Sequence, residues 1–218
     1  MNRSEIGALS PLRIKGGIPG ALRAVLRGWW REIFVLTGLN LVWTLAAFSI
    51  VALPPATAAM FYVARHVLAN DGFINWQSFW HPFRRYWRAA WGWGLVAFGL
   101  GGVAAANLWT YRDAPGTSWT ILRSVWATFL VVWVVLNLFF WPFWFAEDEE
   151  HRTLGTTWRN SLAFLSAHPL PALFVTVIVL VLGFVSFLYG VPLGVLFMTW
   201  TALLATATLA AYLPAEPE

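Results

Sequence analysis

The chain has 218 residues, of which 59% are hydrophobic and only 11% are charged. Because soluble domains carry about 25% charged residues, this composition excludes an ordinary water-soluble protein and predicts an integral membrane protein. The chain has no cysteine, which excludes disulfides and thiolate chemistry. No polar segment is long enough for a core of its own, so we expect residues 1–218 to form one membrane domain, with 1–18 as a flexible cytoplasmic N-terminus.

Five apolar stretches approach or exceed the roughly 20 residues that a helix needs to cross a bilayer. In chain order they are residues 33–53, 89–109, 124–146, 171–189 and 191–213. Each can satisfy its backbone hydrogen bonds in lipid only as a helix, so the predicted fold class is all-α.

The stretch that follows Pro54 and Pro55 decides how the chain is threaded. If residues 56–70 do not cross the membrane, the arginines and lysines divide as eight on one side and six on the other; if they cross, the division is twelve to two. The positive-inside rule favours the second arrangement. We therefore predict about six crossings arranged as three hairpins, with a turn at Pro54 and Pro55, a short second crossing that brings Arg65 to the cytoplasm, and both termini cytoplasmic.

A helix with an apolar and a basic face is predicted ahead of each hairpin. The first contains "RGWWR" at 27–31, the second "RRYWR" at 84–88, and the third, which is the weakest, places Leu154, Trp158 and Leu162 on one face. Such helices are expected in the headgroup plane, with aromatic rings directed inward and arginines on anionic lipid. The alternative role is a cytoplasmic surface that binds a partner, whereas nucleic-acid binding is not expected. The residues proposed for either role are Arg27, Trp29, Trp30, Arg31, Trp80, Arg84, Arg85, Trp87 and Arg88.

Asn40 and Asn137 are the most deeply placed amides of the predicted spans. Hydrogen bonding between helices is their ordinary role, and lining a path for a solute is the alternative. The spans contain almost no ionisable groups, which disfavours ion-coupled transport.

The acidic run "EDEEH" at 147–151 is the most concentrated group of charges in the chain. Its spacing does not match a metal site, and we expect no metal, cofactor or catalytic residue. The pattern favours a solvated end of the fourth span, or pairing of these carboxylates with Arg84, Arg85 and Arg88.

Three segments carry a resemblance to a known family. They are "LNLVW" at 39–43, "ATAAMFYV" at 56–63, and "INWQSFWHPFRRYWRAAW" at 74–91. Together they resemble the YesL-like family of small bacterial membrane proteins, whose function is unknown. The chain departs from the family in its turn, where "PPATAA" is shorter and lacks a glycine.

The resemblance implies a multi-pass protein of the bacterial cytoplasmic membrane. Because family members are often encoded near carbohydrate-uptake systems, it also implies an accessory role in transport. We therefore expect a non-enzymatic scaffold that assists another membrane protein, in contact with anionic lipid. The alternatives are a small solute permease with a polar path near Asn40 and Asn137 and, less favoured, an intramembrane enzyme.

Overall fold

The computed structural model describes residues 12–70, 74–190 and 193–213, and this part of the chain is helical with no β-strand. Of the expected flexible segment 1–18, residues 1–11 lie outside the described residues; the backbone N–H of Ile14 donates to the carbonyl of Ala210. The helices are α1 (Gly17–Arg31), α2 (Ile33–Phe48), α3 (Leu53–Ala69), α4 (Trp76–Arg85), α5 (Trp87–Thr110), α6 (Thr117–Ala146), α7 (Leu154–Ala167), α8 (Pro169–Tyr189) and α9 (Met198–Tyr212).

Helices α2 and α3 form the first antiparallel hairpin. Near the turn, the indole N–H of Trp43 donates to the hydroxyl of Thr57 across 3.0 Å. At the other end, the guanidinium of Arg31, the last residue of α1, donates to the carbonyl of Val67 across 2.8 Å. The first contact joins α2 to α3 near the turn, and the second joins the junction of α1 and α2 to the end of α3.

Helices α5 and α6 form the second hairpin in the same way. The indole N–H of Trp93 donates to the side-chain oxygen of Asn137 across 2.9 Å. Close to the connection between the helices, the rings of Tyr111 and Trp119 stack with centroids 4.6 Å apart.

Helices α8 and α9 form the third hairpin. Gly183 lies against the ring of Phe197, and the rings of His168 and Tyr212 are 5.1 Å apart. Since α1, α4 and α7 precede the three pairs, the predicted all-α bundle of three hairpins, each with a preceding helix, is confirmed.

The turn of the first hairpin lies earlier than the sequence predicted. The chain reverses at residues 49–52, where Ile50 has a φ of 55° and Ser49 bonds to the carbonyl of Ala46 and to the N–H of Ala52. Pro54 and Pro55 are instead buried in the first turn of α3. Proline is stable there because the first N–H groups of a helix have no partner within it.

Helices α3 and α9 form the centre of the bundle. In α3, residues 54–65 and Val67 are buried, and α9 is buried from Met198 to Ala210 except at Trp200. Small side chains allow two helices to approach closely and so to gain van der Waals contact in a membrane. Those of the two helices are Ala56, Ala58, Ala59 and Ala64 in α3, and Ala202, Ala205, Ala207 and Ala210 in α9.

This central position corrects the expectation for Arg65. We expected its side chain to reach the membrane surface, but Arg65 is only 7% exposed. Because α3 is surrounded by other helices, the protein and not the headgroup layer encloses this side chain.

Several helices of the described residues are long and apolar enough to cross a membrane. These four candidate spans are α5, α6, α8 and the segment Val195–Tyr212. Helices α1 and α2 meet at 92°, and if the two together count as one broken span, the number of candidate spans is five. Large apolar side chains point outward along them, as Phe34 (91% exposed) and Phe187 (84%) illustrate. A multi-pass membrane protein explains such outward apolar faces. The sixth crossing, by the 17-residue α3, stays a prediction.

Helices α1 and α7, which precede the first and third hairpins, pack on the bundle through faces that differ in detail from the predicted ones. In α7, Leu154 and Trp158 pack against the core as predicted, whereas Leu162 is 49% exposed. The buried residues of the two helices are Thr157, Ser161 and Phe164 in α7, and Ala21, Val25 and Gly28 in α1. Small residues suit helix packing and large apolar residues suit lipid, so hydrophobicity alone does not identify the protein-facing side.

Candidate functional site: the arginine end of the bundle

One end of the bundle collects the residues that the sequence singled out. The end of α3, the start of α5 and the end of α6 meet there, as the ring contacts of Tyr62 and Tyr86 with Phe145 show, at 5.5 and 5.2 Å. We call this the arginine end, because Arg31, Arg84, Arg85, Arg88 and Arg152 lie on it.

Helix α4 begins with a reciprocal cap. The side chain of Asn75 accepts from the backbone N–H of Ser78 at 3.0 Å, and the hydroxyl of Ser78 accepts from the N–H of Asn75 at 3.3 Å. Phe79 and Pro82 are buried against the bundle. The cap and these two residues therefore fix the orientation of α4 and determine which of its side chains face outward.

The outer side of α4 and the start of α5 carry exposed tryptophans. Trp80 is 44% exposed and Trp87 37% exposed, and both rings contact Phe83 edge-on, with centroids 5.1 and 5.5 Å apart. The aromatics predicted to share one inward face are thus divided. Phe79 and Phe83 pack inward, whereas Trp80 and Trp87 lie at the surface.

Arg85 is held by the acidic run that follows α6. One guanidinium nitrogen lies 2.6 and 2.8 Å from the two carboxylate oxygens of Glu149. Glu149 also lies 3.5 Å from Arg152, whose guanidinium donates to the hydroxyl of Tyr86 at 3.3 Å and to the carbonyl of Glu147 at 2.8 Å. The predicted pairing between this acidic run and the α4 arginines is therefore confirmed for Arg85 and Glu149.

Arg84 and Arg88 differ from Arg85. Both are exposed, and neither forms an ion pair within the described part of the chain. Together with Trp80 and Trp87 they form an exposed basic aromatic surface on the outside of the bundle. We call these four residues the Trp–Arg patch.

The candidates on α1 and at its junction with α2 also fall into two groups. Arg31 closes the end of α3, donating to the carbonyl of Val67 and to the side chain of Asn70. A positive charge at a helix C-terminus is favourable, because the free carbonyls there carry partial negative charge. Trp29 contacts Trp200, whereas Arg27 and Trp30 are exposed, Trp30 by 73%.

Asn40 stabilises an irregular stretch of backbone. A π-helical turn, Leu193–Phe197, precedes α9 and interrupts the regular hydrogen-bond pattern. The N–H of Thr199 donates to the side-chain oxygen of Asn40 at 3.0 Å, and the hydroxyl of Thr199 lies 3.3 Å from the same oxygen. Asn40 is fully buried, and it thereby gives a hydrogen-bond partner to a backbone group that lipid could not satisfy.

Asn137 joins a different pair of helices. Its oxygen accepts from Trp93, and its nitrogen donates to the carbonyl of Trp133 at 2.8 Å. The indole N–H of Trp133 in turn donates to the carbonyl of Ala97 at 2.9 Å. Asn40 and Asn137 thus belong to separate interhelical contacts, and these bonds favour the packing role over a shared solute path.

A cleft of about 390 Å³ opens at the arginine end between α6 and α7. The sequence did not predict this cleft, because its lining residues are distributed over the end of α6, a short 3₁₀ turn and α7. It did not predict the contacts of Tyr86 and Arg152 either. The feature of the sequence that could have indicated the cleft is the presence of Arg152 and Arg159 after an acidic run. The lining residues are Ala146, Glu147, Asp148, His151, Thr156 and Arg159.

Metal chemistry finds no support in the geometry of the described residues. Residues 12–70, 74–190 and 193–213 contain no group of three histidine, aspartate or glutamate side chains placed to hold a metal ion. Two carboxylates of the acidic run are engaged elsewhere, Glu149 by Arg85 and Arg152 and Glu147 by Asn160.

Part of the chain matches an uncharacterised protein family. Residues 34–108 match DUF624, a family described as proteins of unknown function. The match covers about a third of the chain, from the start of α2 almost to the end of α5, and so contains the first hairpin and the Trp–Arg patch. No curated protein and no solved structure is similar to the chain.

Proposed function

We propose that the protein is a non-enzymatic membrane scaffold that binds another membrane protein through the Trp–Arg patch. On its resemblance to the YesL-like family, with which the DUF624 match is consistent, we place it in a bacterial cytoplasmic membrane. The distribution of arginine and lysine supports a topology with both termini cytoplasmic. The same resemblance makes a transport system, such as one for carbohydrate uptake, the proposed partner.

The observation that supports this proposal is the contrast between adjacent arginines. Arg85 is engaged by Glu149, whereas Arg84 and Arg88 are exposed beside Trp80 and Trp87 and make no ion pair in the described residues. Tryptophan and arginine are the residues most enriched where protein interfaces gain their binding energy. An acidic surface on the partner would complement the patch.

Anionic lipid headgroups also attract exposed arginines and tryptophans, so the test must separate a protein partner from lipid. The full-length protein is cross-linked in its native membrane, purified and analysed by quantitative mass spectrometry. The R84Q/R88Q variant is compared with R13Q/R23Q, which removes equal charge from two exposed positions that are not among the candidate binding residues.

We expect recovery of a transport component to fall at least about tenfold in R84Q/R88Q and to be unchanged in R13Q/R23Q. Removing contacts of hot-spot type produces losses of this size. Equal loss in both variants would assign the arginines to lipid. Recovery of the protein alone, with host solute uptake unchanged when its gene is deleted, would overturn the proposal.

A further inference from the structure

The cleft between α6 and α7 carries opposite charges on its lining. Asp148 and Arg159 both line it and both are exposed. Within the described residues neither side chain forms an ion pair, with the other or with a third group. The two charges are therefore available to one ligand that carries both an anion and a cation.

The surroundings of these two residues are fixed by other contacts. The side chain of Asn160 donates to the carboxylate of Glu147, and Arg152 donates to the carbonyl of Glu147. Thr156 is held in a reciprocal cap with Thr153 at the start of α7. These neighbouring side chains are already oriented, which lowers the entropy lost on binding, whereas Asp148 and Arg159 are themselves ordered by the ligand.

The position of the cleft along the bundle corresponds to the headgroup layer. Helix α6 has 30 residues, or about 45 Å at the usual rise, whereas the hydrocarbon core is about 30 Å thick. The end of α6 at Ala146 therefore extends to the headgroup level if the helix crosses the bilayer. One turn beyond Arg159 along α7, Leu162 is 49% exposed and offers an apolar surface on the same side.

We propose that this cleft binds a zwitterionic lipid with a primary amine, that is, phosphatidylethanolamine. Arg159 binds the phosphate, Asp148 binds the ammonium group, and an acyl chain lies along Leu162. A primary ammonium donates hydrogen bonds to carboxylates, whereas choline is recognised by aromatic rings, and the only ring in the lining is that of His151. The carboxylates of Glu147 and Asp148 disfavour a purely anionic headgroup.

The full chain is reconstituted into nanodiscs that contain equal amounts of phosphatidylethanolamine, phosphatidylcholine and phosphatidylglycerol, and retained lipids are measured by native mass spectrometry. The wild type is compared with R159Q and D148N, and with the control variants R23Q and E150Q, which change exposed charges outside both the lining and the Trp–Arg patch. Circular dichroism and size-exclusion chromatography are recorded for each variant.

We expect selective retention of phosphatidylethanolamine by the wild type and by both controls, with a loss of about tenfold in R159Q and in D148N, since each change removes one charge-assisted hydrogen bond. Soluble phosphoethanolamine is added in a second arm. If it displaces the lipid at equal concentration, the site recognises a soluble zwitterion and the lipid assignment is wrong. Equal retention of the three lipids, or equal loss in R23Q and R159Q, would also overturn the proposal.

Discussion

At the scale of single residues, polar side chains in this bundle are used to satisfy backbone groups and helix ends. Asn40 accepts from Thr199 where a π-helical turn leaves the regular pattern, and Arg31 bonds to Val67 at the end of α3. Each of these contacts joins segments far apart in the chain. Their loss is therefore expected to affect stability before it affects any binding property.

Replacing Asn40 by leucine should lower the free energy of unfolding by about 1–3 kcal/mol, because it leaves a buried N–H without a partner. Unfolding of the purified protein in detergent, followed by circular dichroism, measures the change. Asn107→Leu is the matched control, since among the described residues the amide of Asn107 bonds only to Val103 in its own helix. An equal effect of the two substitutions would contradict the interhelical role of Asn40.

The ion pair of Arg85 and Glu149 makes a smaller predicted contribution. Both side chains are more than a third exposed, so solvent screening limits the coupling to about 1 kcal/mol or less. A double-mutant cycle with R85E, E149R and the charge-swapped double variant should show partial recovery of stability in the double variant. E150R is the control, because Glu150 forms no ion pair within the described residues. Absence of any recovery would mean that the pair does not join α4 to the acidic run.

At the scale of helices, small residues determine which faces meet. The first turn of α3 packs against α5 where Gly94 provides space, and a methyl group at that position would lie 2.9 Å from Cγ of Pro54. The proline ring is rigid and belongs to the buried start of α3, so it has little freedom to move. Gly94 and Pro54 therefore set the approach of the first and second hairpins.

The substitution Gly94→Ala should destabilise the protein by about 1–3 kcal/mol through overpacking against Pro54. Gly99→Ala in the same helix is the comparison, because nothing lies within 4 Å of the methyl group that it adds. That change should be neutral or stabilising by up to about 1 kcal/mol, as expected from helix propensity. Thermal unfolding in detergent distinguishes the two, and equal melting temperatures would show that the helices do not meet at Gly94.

At the scale of the whole molecule, the ends of α3 and α6 lie together with the start of α5 at one end of the second hairpin. The connection between α5 and α6 lies at the other end of this hairpin. The arginine count assigns the first of these ends to the cytoplasm. The structure also tells which positions are accessible to a label. Gln77, Ser118 and Glu150 are exposed, whereas Ser161 is only 1% exposed.

Single cysteines at Gln77, Ser118 and Glu150 can be introduced without a background, because the natural chain has no cysteine. In intact cells, an impermeant maleimide should label position 118 and should label positions 77 and 150 only after lysis. Labelling of position 77 from outside would contradict the predicted crossing by α3 and with it the proposed six-crossing topology.

The sequence by itself determined the membrane class and the all-α fold, because hydrophobic length and the demand for backbone hydrogen bonds act locally. Hydrophobic length alone identified five stretches, and the distribution of arginine and lysine then predicted the three hairpins. It also indicated the pairing of the α4 arginines with the acidic run, since their charges are evident in the sequence. Tertiary structure alone decided that Pro54 begins a helix, that Arg65 is enclosed, and that Arg85 and not Arg84 is engaged. Which face of an apolar helix meets protein depends on the shape of its neighbours, and lipid is as apolar as the protein interior, so hydrophobicity cannot distinguish the two sides.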